Sequence, residues 1–411
     1  MQTSVLKQRS DYTFRFNTES GRHGWLRLTP AYSVKVVEEI LADFSSAKSV
    51  LDPFCGTGTT ALSAIYRGKH AVSIDINSFL VWVASTKCKP YSDQTITITR
   101  ALAKSILQSI EERTVSPIPP PPIYDIDRWW NPKELLFLRV IKGAIDSACS
   151  PETPENDLLR ITFCRVLIKL SNAAFNHQSM SFKDMPTHQL TMLDQLLQFD
   201  PLFEKELGSV LASARHNPVS HANIILGDSR NLEKCTQDSF DLLITSPPYP
   251  NRMSYIRELR PYMYWLGYLK EAREAGEIDW ETIGGTWGIA TSRLMQWQPS
   301  NEHYLVDELS DFLAALSQSK GKNAILLANY VSKYFADIWD HLNSVRNVLS
   351  KNAAVNYIVG NSSFYGIILP VEVIYQKMLG SLGFQKVKVT PIRKRNSKKA
   401  LFEFNVSALY A

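Results

Sequence analysis

Apolar residues fall in short β-branched blocks separated by stretches of helical spacing. Ser49-Val50-Leu51 is the first block, and it runs directly into Asp52-Pro53-Phe54-Cys55-Gly56-Thr57-Gly58-Thr59-Thr60. The pattern predicts an amphipathic helix from Thr60 to about Arg67, closed by Gly68 as a C-cap, and then a strand over Ala71 to Ile74 that ends at Asp75. Strand, glycine-rich turn, helix and strand make a βαβ unit, which requires a parallel sheet. Upstream, Val34 to Leu41 carries apolar residues at helical spacing after Thr29-Pro30. Further strands are predicted over Asn223 to Leu226, followed by Gly227-Asp228, and over Phe240 to Ile244, followed by Thr245-Ser246-Pro247-Pro248-Tyr249. Later come a helix over Tyr334 to Leu349, a strand over Ala353 to Val359 and a helix over Val371 to Leu382. Lys386 to Thr390 and Leu401 to Leu409 can close the sheet as a hairpin. Strands alternating with helices indicate an α/β fold.

Two long stretches interrupt this alternation. Between about Lys89 and His221 lie a proline-rich linker (Pro117 to Pro122), the pair Trp129-Trp130, and three helical patterns near 132–148, 155–175 and 187–214. A second stretch, roughly Asn251 to Lys322, is rich in Tyr, Trp and Arg. The expected organisation is therefore one α/β domain in two parts, 1–88 and 222–411. A mainly helical insertion, 89–221, separates them, and a smaller insert lies near 251–322. Both inserts belong at the end of the sheet where loops follow the strands, which is where open α/β sheets bind ligands.

Composition narrows the class. With 411 residues, 45% hydrophobic, 21% charged, 18 Gly and 21 Pro, the chain is neither wholly disordered, collagen-like nor a coiled coil. No apolar run approaches the roughly 18 residues of a membrane span, and Met1 to Phe16 alternates charge with polarity, unlike a signal peptide. Cys55, Cys88, Cys149, Cys164 and Cys235 are dispersed, so neither a disulfide framework nor a structural zinc site is expected, and a reducing cytoplasm fits. The eight histidines stand singly, and no metal site is expected. The net charge of +5 is unevenly placed: Lys386 to Lys399 holds seven Lys or Arg and no acid. That segment suits a phosphate backbone and equally suits a strand edge kept soluble by lysine.

The glycine-rich turn is the first candidate site. Gly56 and Gly58, one residue apart, permit a tight turn and close approach of a ligand. Ala61 stands where the third glycine of a dinucleotide fingerprint would fall, and there is no Gly-Lys-Ser/Thr for a triphosphate. A carboxylate at Asp52, at a helix N-terminus, would repel phosphate and accept a cation. S-adenosylmethionine carries an ammonium and a sulfonium. Asp75, at a strand end about 20 residues on, is placed to hold two ribose hydroxyls.

Ser246-Pro247-Pro248-Tyr249 is the second. Neither proline can donate a backbone hydrogen bond, and both hold the chain extended. The Ser246 Oγ and the Pro247 carbonyl can accept from an exocyclic amine, and Tyr249 can stack on the ring that bears it. Such an amine is a poor nucleophile because its lone pair is delocalised. Acceptors on its N–H bonds favour the pyramidal form, and in-line positioning supplies much of the rate. Serine is too weak a base to deprotonate it beforehand, so Ser246 is expected to orient the amine.

Together these motifs resemble the amino-methyltransferases of nucleic acids, in particular prokaryotic DNA cytosine-N4 methyltransferases of restriction–modification systems. The resemblance rests on Asp52 to Thr59 and Ser246 to Tyr249, and extends to Gly227-Asp228 and to Leu28-Thr29-Pro30. It implies a Rossmann-like class I methyltransferase sheet with a helical insertion. S-adenosylmethionine would be held by Thr29, Asp52, Phe54, Gly56, Gly58, Asp75 and Asp228, with Asp228 on the adenine and the Thr29 region closing over the methionine end. Catalysis would fall to Ser246, Pro247, Pro248 and Tyr249. The implied substrate is double-stranded DNA, its target base flipped out of the helix. A cognate restriction endonuclease would act separately, and the insertion 89–221 would be a DNA-recognition region. No cysteine outside the cofactor turn follows a proline, so carbon-5 methylation through a covalent intermediate is disfavoured. Serine at the head of the catalytic loop leans toward cytosine N4. Adenine-N6 methylation, guanine-N2 methylation of RNA, and a non-catalytic nucleic-acid-binding protein are the alternatives.

Three other features have competing readings. Trp129-Trp130 could stack on nucleotides or anchor the insertion, and the anchor is favoured. Arg252, Tyr255, Arg257, Arg260, Tyr262, Tyr264 and Trp265 could line a base pocket, or could form a buried helical stripe of Tyr262, Trp265 and Leu269. Asn172 to His177 could face DNA, but reads better as a helix C-cap.

Overall fold

The computed structural model describes residues 6–26, 28, 31–174, 181–182, 198–286, 288–395 and 400–411. Its centre is a seven-stranded sheet. Numbered in chain order, the strands are β1 (Ser49–Asp52), β2 (His70–Asp75), β3 (Ala222–Leu226), β4 (Phe240–Thr245), β5 (Leu349–Gly360), β6 (Gln385–Lys394) and β7 (Phe402–Leu409). Across the sheet they run β3-β2-β1-β4-β5-β7-β6. β7 is antiparallel to both its neighbours, and the other pairings are parallel. This is the expected Rossmann-like α/β sheet.

The alternation of side chains explains the layers. Val50, Ala71, Leu242, Ile244, Ala354 and Ile358 face helices Val34–Asp43 and Thr59–Tyr66. Leu51, Val72, Leu243, Val355 and Tyr357 face the other way, against helices Ala324–Arg346 and Val371–Ser381. With both faces covered, the inner strands carry almost unbroken apolar runs. The chain leaves β1 toward β2 and β3, then returns to β4 on the other side of β1. The register Val50↔Leu242 and Leu51↔Leu243 sets the ends of β1 and β4 level. This switch point opens a crevice beyond the strand ends.

Several boundaries differ from the sequence expectation. The helix expected over Val34 to Leu41 does start at Val34 but runs on to Asp43, with Ser33 as its cap, the Ser33 hydroxyl accepting from Lys35 N. Thr29 and Pro30 lie outside the described residues. The helix expected over 155–175 ends at Lys169, and a short pairing of Ala173–Ala174 with Ser181–Phe182 follows. Asn172 is not a helix cap: its backbone N–H donates to Trp129 O at 2.8 Å and its side chain to Asn131 Oδ1 at 3.2 Å. The expectation for Phe175, Asn176 and His177 falls outside the described residues, as does that for the start of the third helix, whose described part is Asp200–Ala214. The helix expected from Tyr334 begins earlier, at Ala324, and stops at Arg346, while Leu349 already belongs to β5. Several helices escaped the pattern altogether, among them Ser78–Cys88, Asp93–Glu111 and Asp307–Ser317. Asp93–Glu111 opens with alternating Thr and Ile, which imitates a strand, yet Ser92 caps it and Ile96, Thr99, Ala103, Ile106 and Ile110 form one buried face.

The two inserts share one core. Trp130 is fully buried, donates Nε1–H to Leu167 O at 3.0 Å, and meets Trp265 edge-on. Tyr262, Trp265 and Leu269 are buried, so the helix Tyr255–Trp265 presents the apolar stripe rather than a row of free aromatic faces. Among the described residues, no helix is long and apolar enough to cross a membrane.

Candidate active site

The turn after β1 has its shape because two glycines adopt positive φ, +53° at Gly56 and +79° at Gly58. Gly58 also has no room for a side chain, since a Cβ there would lie 2.9 Å from Cβ of Ala84 on the next helix. The turn is then drawn onto β2. The Gly56 N–H donates to Asp75 Oδ2 at 2.8 Å, and the Asn77 N–H to Asp75 Oδ1 at 2.9 Å. Burial pushes the Asp75 carboxyl up to about 7 even so. From behind, the buried Lys87 donates Nζ–H to the Thr57 carbonyl at 2.9 Å and to the His23 carbonyl at 3.2 Å. Loss of hydration brings that ammonium down to about 7.

Asp52 is fully buried at the end of β1. Its Oδ1 accepts from the Thr245 hydroxyl at 2.5 Å and from the Phe54 N–H at 3.1 Å. Oδ2 has no hydrogen-bond partner among the described residues. Burial therefore dominates and pushes the carboxyl up to about 6. An orphaned acidic oxygen of this kind is the complement of an ammonium group. Asp228, after β3, is built differently. Arg230 grips it with its backbone N–H at 2.9 Å and its guanidinium at 2.8–3.0 Å, and also reaches Asp337 at 2.9 Å. These contacts outweigh desolvation and lower the Asp228 pKa.

The loop after β4 is held by hydroxyl groups. Ser246 donates its Oγ–H to the Ile358 carbonyl on β5 at 3.0 Å. The hydroxyl proton is thereby engaged, and the Oγ lone pairs remain to accept. Two prolines leave the loop short of donors, and three tyrosine hydroxyls tie it down, one as a donor and two as acceptors. Tyr334 donates to the Pro248 carbonyl at 2.8 Å, the Tyr249 N–H donates to Tyr255 Oη at 3.3 Å, and the Arg252 N–H donates to Tyr330 Oη at 3.2 Å. Arg252 itself sits at φ +63°, so the chain turns sharply there.

A single cavity joins the two loops. Its wall brings together Phe54, Gly56, Asp75, Asp228, Ser246 and Pro248 of the expected site residues. Asp52, Gly58, Pro247 and Tyr249 do not line it: Asp52 and Gly58 support the turn, and Tyr249 is half-buried. The Thr245–Asp52 hydrogen bond shows how closely the two strand ends approach. Thr29 falls outside the described residues. Tyr255, one of the residues that could line a base pocket, is on this wall, whereas Ile76, Asn77 and the segment Glu281 to Ile283, which also line the cavity, were missed by sequence reasoning. Asn77 carried a signal, since it follows Asp75 at the head of a helix and caps it through Phe79 N. Tyr330 and Tyr334 carried none, because nothing local distinguishes them from other aromatic residues of a buried helix.

These residues suit S-adenosylmethionine. Asp75 faces the cavity beside the glycine turn, Phe54 and Ile76 give apolar surface, Asp228 is a charged acceptor on the wall, and Asp52 stands beneath the turn with one oxygen unpaired. The comparisons agree. Residues 15–85 match the DNA methylase family. The chain is 21% identical to the Type II methyltransferase M.BsoBI of Geobacillus stearothermophilus, over 97% of this chain and 86% of that protein. It is likewise 21% identical to the Type II methyltransferase M.AvaI of Anabaena variabilis, over 95% of this chain and 85% of the relative. To the Type II methyltransferase M.MvaI of Kocuria varians it is 20% identical, over 80% and 74% respectively.

Proposed function

We propose that this chain is a DNA methyltransferase of the restriction–modification kind that uses S-adenosylmethionine, and that it methylates the exocyclic N4 amine of a cytosine flipped out of duplex DNA. The observation that carries this reading is Ser246. Its own proton is engaged by Ile358, so it meets an amine as an acceptor and not as a donor. An acceptor on one N–H draws electron density toward the nitrogen and favours the pyramidal geometry needed for attack. Serine, where an aspartate or asparagine would more often serve adenine, is what favours cytosine. When bound, S-adenosylmethionine supplies an electrophilic methyl group on a sulfonium.

The protein's own contribution is positional. Asp52 and Asp75 fix one reactant near the end of β1, and the rigid Pro247-Pro248 pair aims Ser246 from the end of β4. Tyr249 provides the ring on which the extruded base stacks. Holding two partners in line accounts for a large part of the barrier reduction in reactions of this type. The surplus amine proton is lost to solvent, since Ser246 is not basic enough to take it. Amines in paired bases are unreachable from a crevice of this depth, which is why extrusion is part of the reading. DNA recognition is assigned to the insertion 89–221, packed against the start of the second insert. A separately acting endonuclease of the same specificity would be the partner in the cell.

The test is incubation with S-adenosylmethionine and genomic DNA, followed by nucleoside mass spectrometry. N4-methylcytosine is the expected product. N6-methyladenine would overturn the choice of base, and methylated nucleosides confined to RNA would overturn the choice of nucleic acid.

A further inference from the structure

Tyr249 is held from outside its own loop. Its hydroxyl donates to Glu403 Oε1 at 2.8 Å. Glu403, on β7, is buried and also accepts from Arg393 of β6, whose Nε lies 2.8 Å from Oε2 and whose Nη2 lies 3.2 Å from Oε1. Two residues further on, the guanidinium of Arg395 lies 4.8 Å from the centroid of the Tyr249 ring, and its Nη1 donates to the Asn361 carbonyl at 2.9 Å. Gly360 makes room for this contact: a Cβ there would come within 2.8 Å of Tyr249 Cε2 and 2.3 Å of Arg395 Nη1. The last hairpin of the sheet thus grips the ring at its hydroxyl and over its plane.

This arrangement also changes the meaning of the basic segment 386–399. Arg393 and Arg395 are not free cations for a phosphate backbone. One offsets the buried charge of Glu403 and the other packs on an aromatic ring.

We propose that Glu403 is a positioning residue for the target base. It fixes the Tyr249 hydroxyl, and with Arg395 it sets the plane in which an extruded base can stack. The proposal rests on the reading of Tyr249 as the stacking partner. A tyrosine needed only for its ring area would tolerate phenylalanine. One whose orientation is set through its hydroxyl would not.

Four variants test it: Tyr249→Ala, Tyr249→Phe, Glu403→Gln and the double variant Tyr249→Phe/Glu403→Gln. They are assayed for kcat and KM on duplex DNA, and for extrusion by 2-aminopurine fluorescence at the target position. Cofactor affinity is measured by calorimetry. Tyr249→Ala removes the ring and is expected to abolish turnover and the fluorescence rise. Tyr249→Phe and Glu403→Gln are each expected to lower kcat about tenfold, with the fluorescence signal reduced and cofactor affinity unchanged. The double variant should be no worse than the worse of the two single ones, because both act through the same contact. Additive losses, or full activity in Tyr249→Phe, would overturn the role of Glu403 while leaving the stacking role intact. Full activity in Tyr249→Ala would instead overturn the stacking role itself. Tyr249→Phe leaves the Arg393–Glu403 ion pair whole, so the test survives if the Glu403 variant fails to fold.

Discussion

The turn after β1 and the loop after β4 end side by side, yet they are stabilised by different means. In the first, the groups that set the shape are near neighbours in the chain: Gly56, Gly58, Asp75 and Asn77, with Lys87 a helix further on. In the second, they come from far away. Ile358, Tyr330, Tyr334 and Glu403 all lie 78 or more residues further along the chain than the groups they hold, with only Tyr255 nearby. The cofactor side is therefore a local motif that can fold around its own backbone. The side proposed to receive the base is an assembly, complete only when the last hairpin has joined β5. A site built this way lets the base-binding half change through distant substitutions while the cofactor half stays constant.

The sharpest way to separate the halves is to damage one and measure the other. Ser246→Ala removes an acceptor that acts in the transition state, and kcat should fall by roughly 10²–10³. Cofactor affinity by calorimetry should not change. A parallel loss of cofactor binding would show that the halves are not separable.

Asp75→Ala is the converse. Loss of a charged acceptor, worth about 1.5–3 kcal/mol, should raise the cofactor Kd by roughly 10–100-fold. With the cofactor saturating, kcat should recover most of its wild-type value. Failure to recover would mean that Asp75 also shapes the catalytic loop.

The two buried carboxyls make a prediction about pH. Both Asp52 and Asp75 are raised, to about 6 and about 7. A raised carboxyl favours the protonated folded protein, so the stability these groups lend is present at low pH. It is lost as pH climbs from the ordinary carboxylate range through 6–7. Under the proposed roles of Asp52 and Asp75 the cofactor prefers their ionised forms, so the sign reverses for binding. Affinity should weaken as pH falls below about 7, and the rise in melting temperature on adding S-adenosylmethionine should be larger at pH 8 than at pH 6. Asp75→Asn should flatten that difference.

The smallest effect is expected from Tyr334→Phe, which deletes the hydrogen bond to the Pro248 carbonyl. A single neutral bond of this kind contributes about 1 kcal/mol, so kcat should drop roughly fivefold with cofactor affinity intact. An unchanged kcat would remove Tyr334 from the machinery of the catalytic loop.

How much of this could be read in advance follows the same division. Strands 49–52, 70–75 and 240–245 were legible because β-branched runs ended at glycine, aspartate or proline, whose backbone demands are local. The helix 93–111 was not, because Thr-Ile alternation imitates a strand and only burial against neighbouring helices decides the case. The helix beginning at Ala324 lost its first turns to the same ambiguity. Tyr262 and Trp265 could be placed on one face of a helix, but whether that face met a core or DNA depended on Trp130 and Phe163 arriving from the insertion.

By itself the chain determined the α/β alternation, the glycine turn with its paired acids, and the rigid Ser-Pro-Pro-Tyr strand end, since each follows from backbone geometry and from charges close in sequence. Only the tertiary structure decided that β1 and β4 lie side by side, that Asp52 keeps one oxygen unpaired, that Ser246 spends its proton on β5, and that Glu403 meets Tyr249. Those relations depend on strand order and on burial, and both arise from contacts between residues that no local pattern connects.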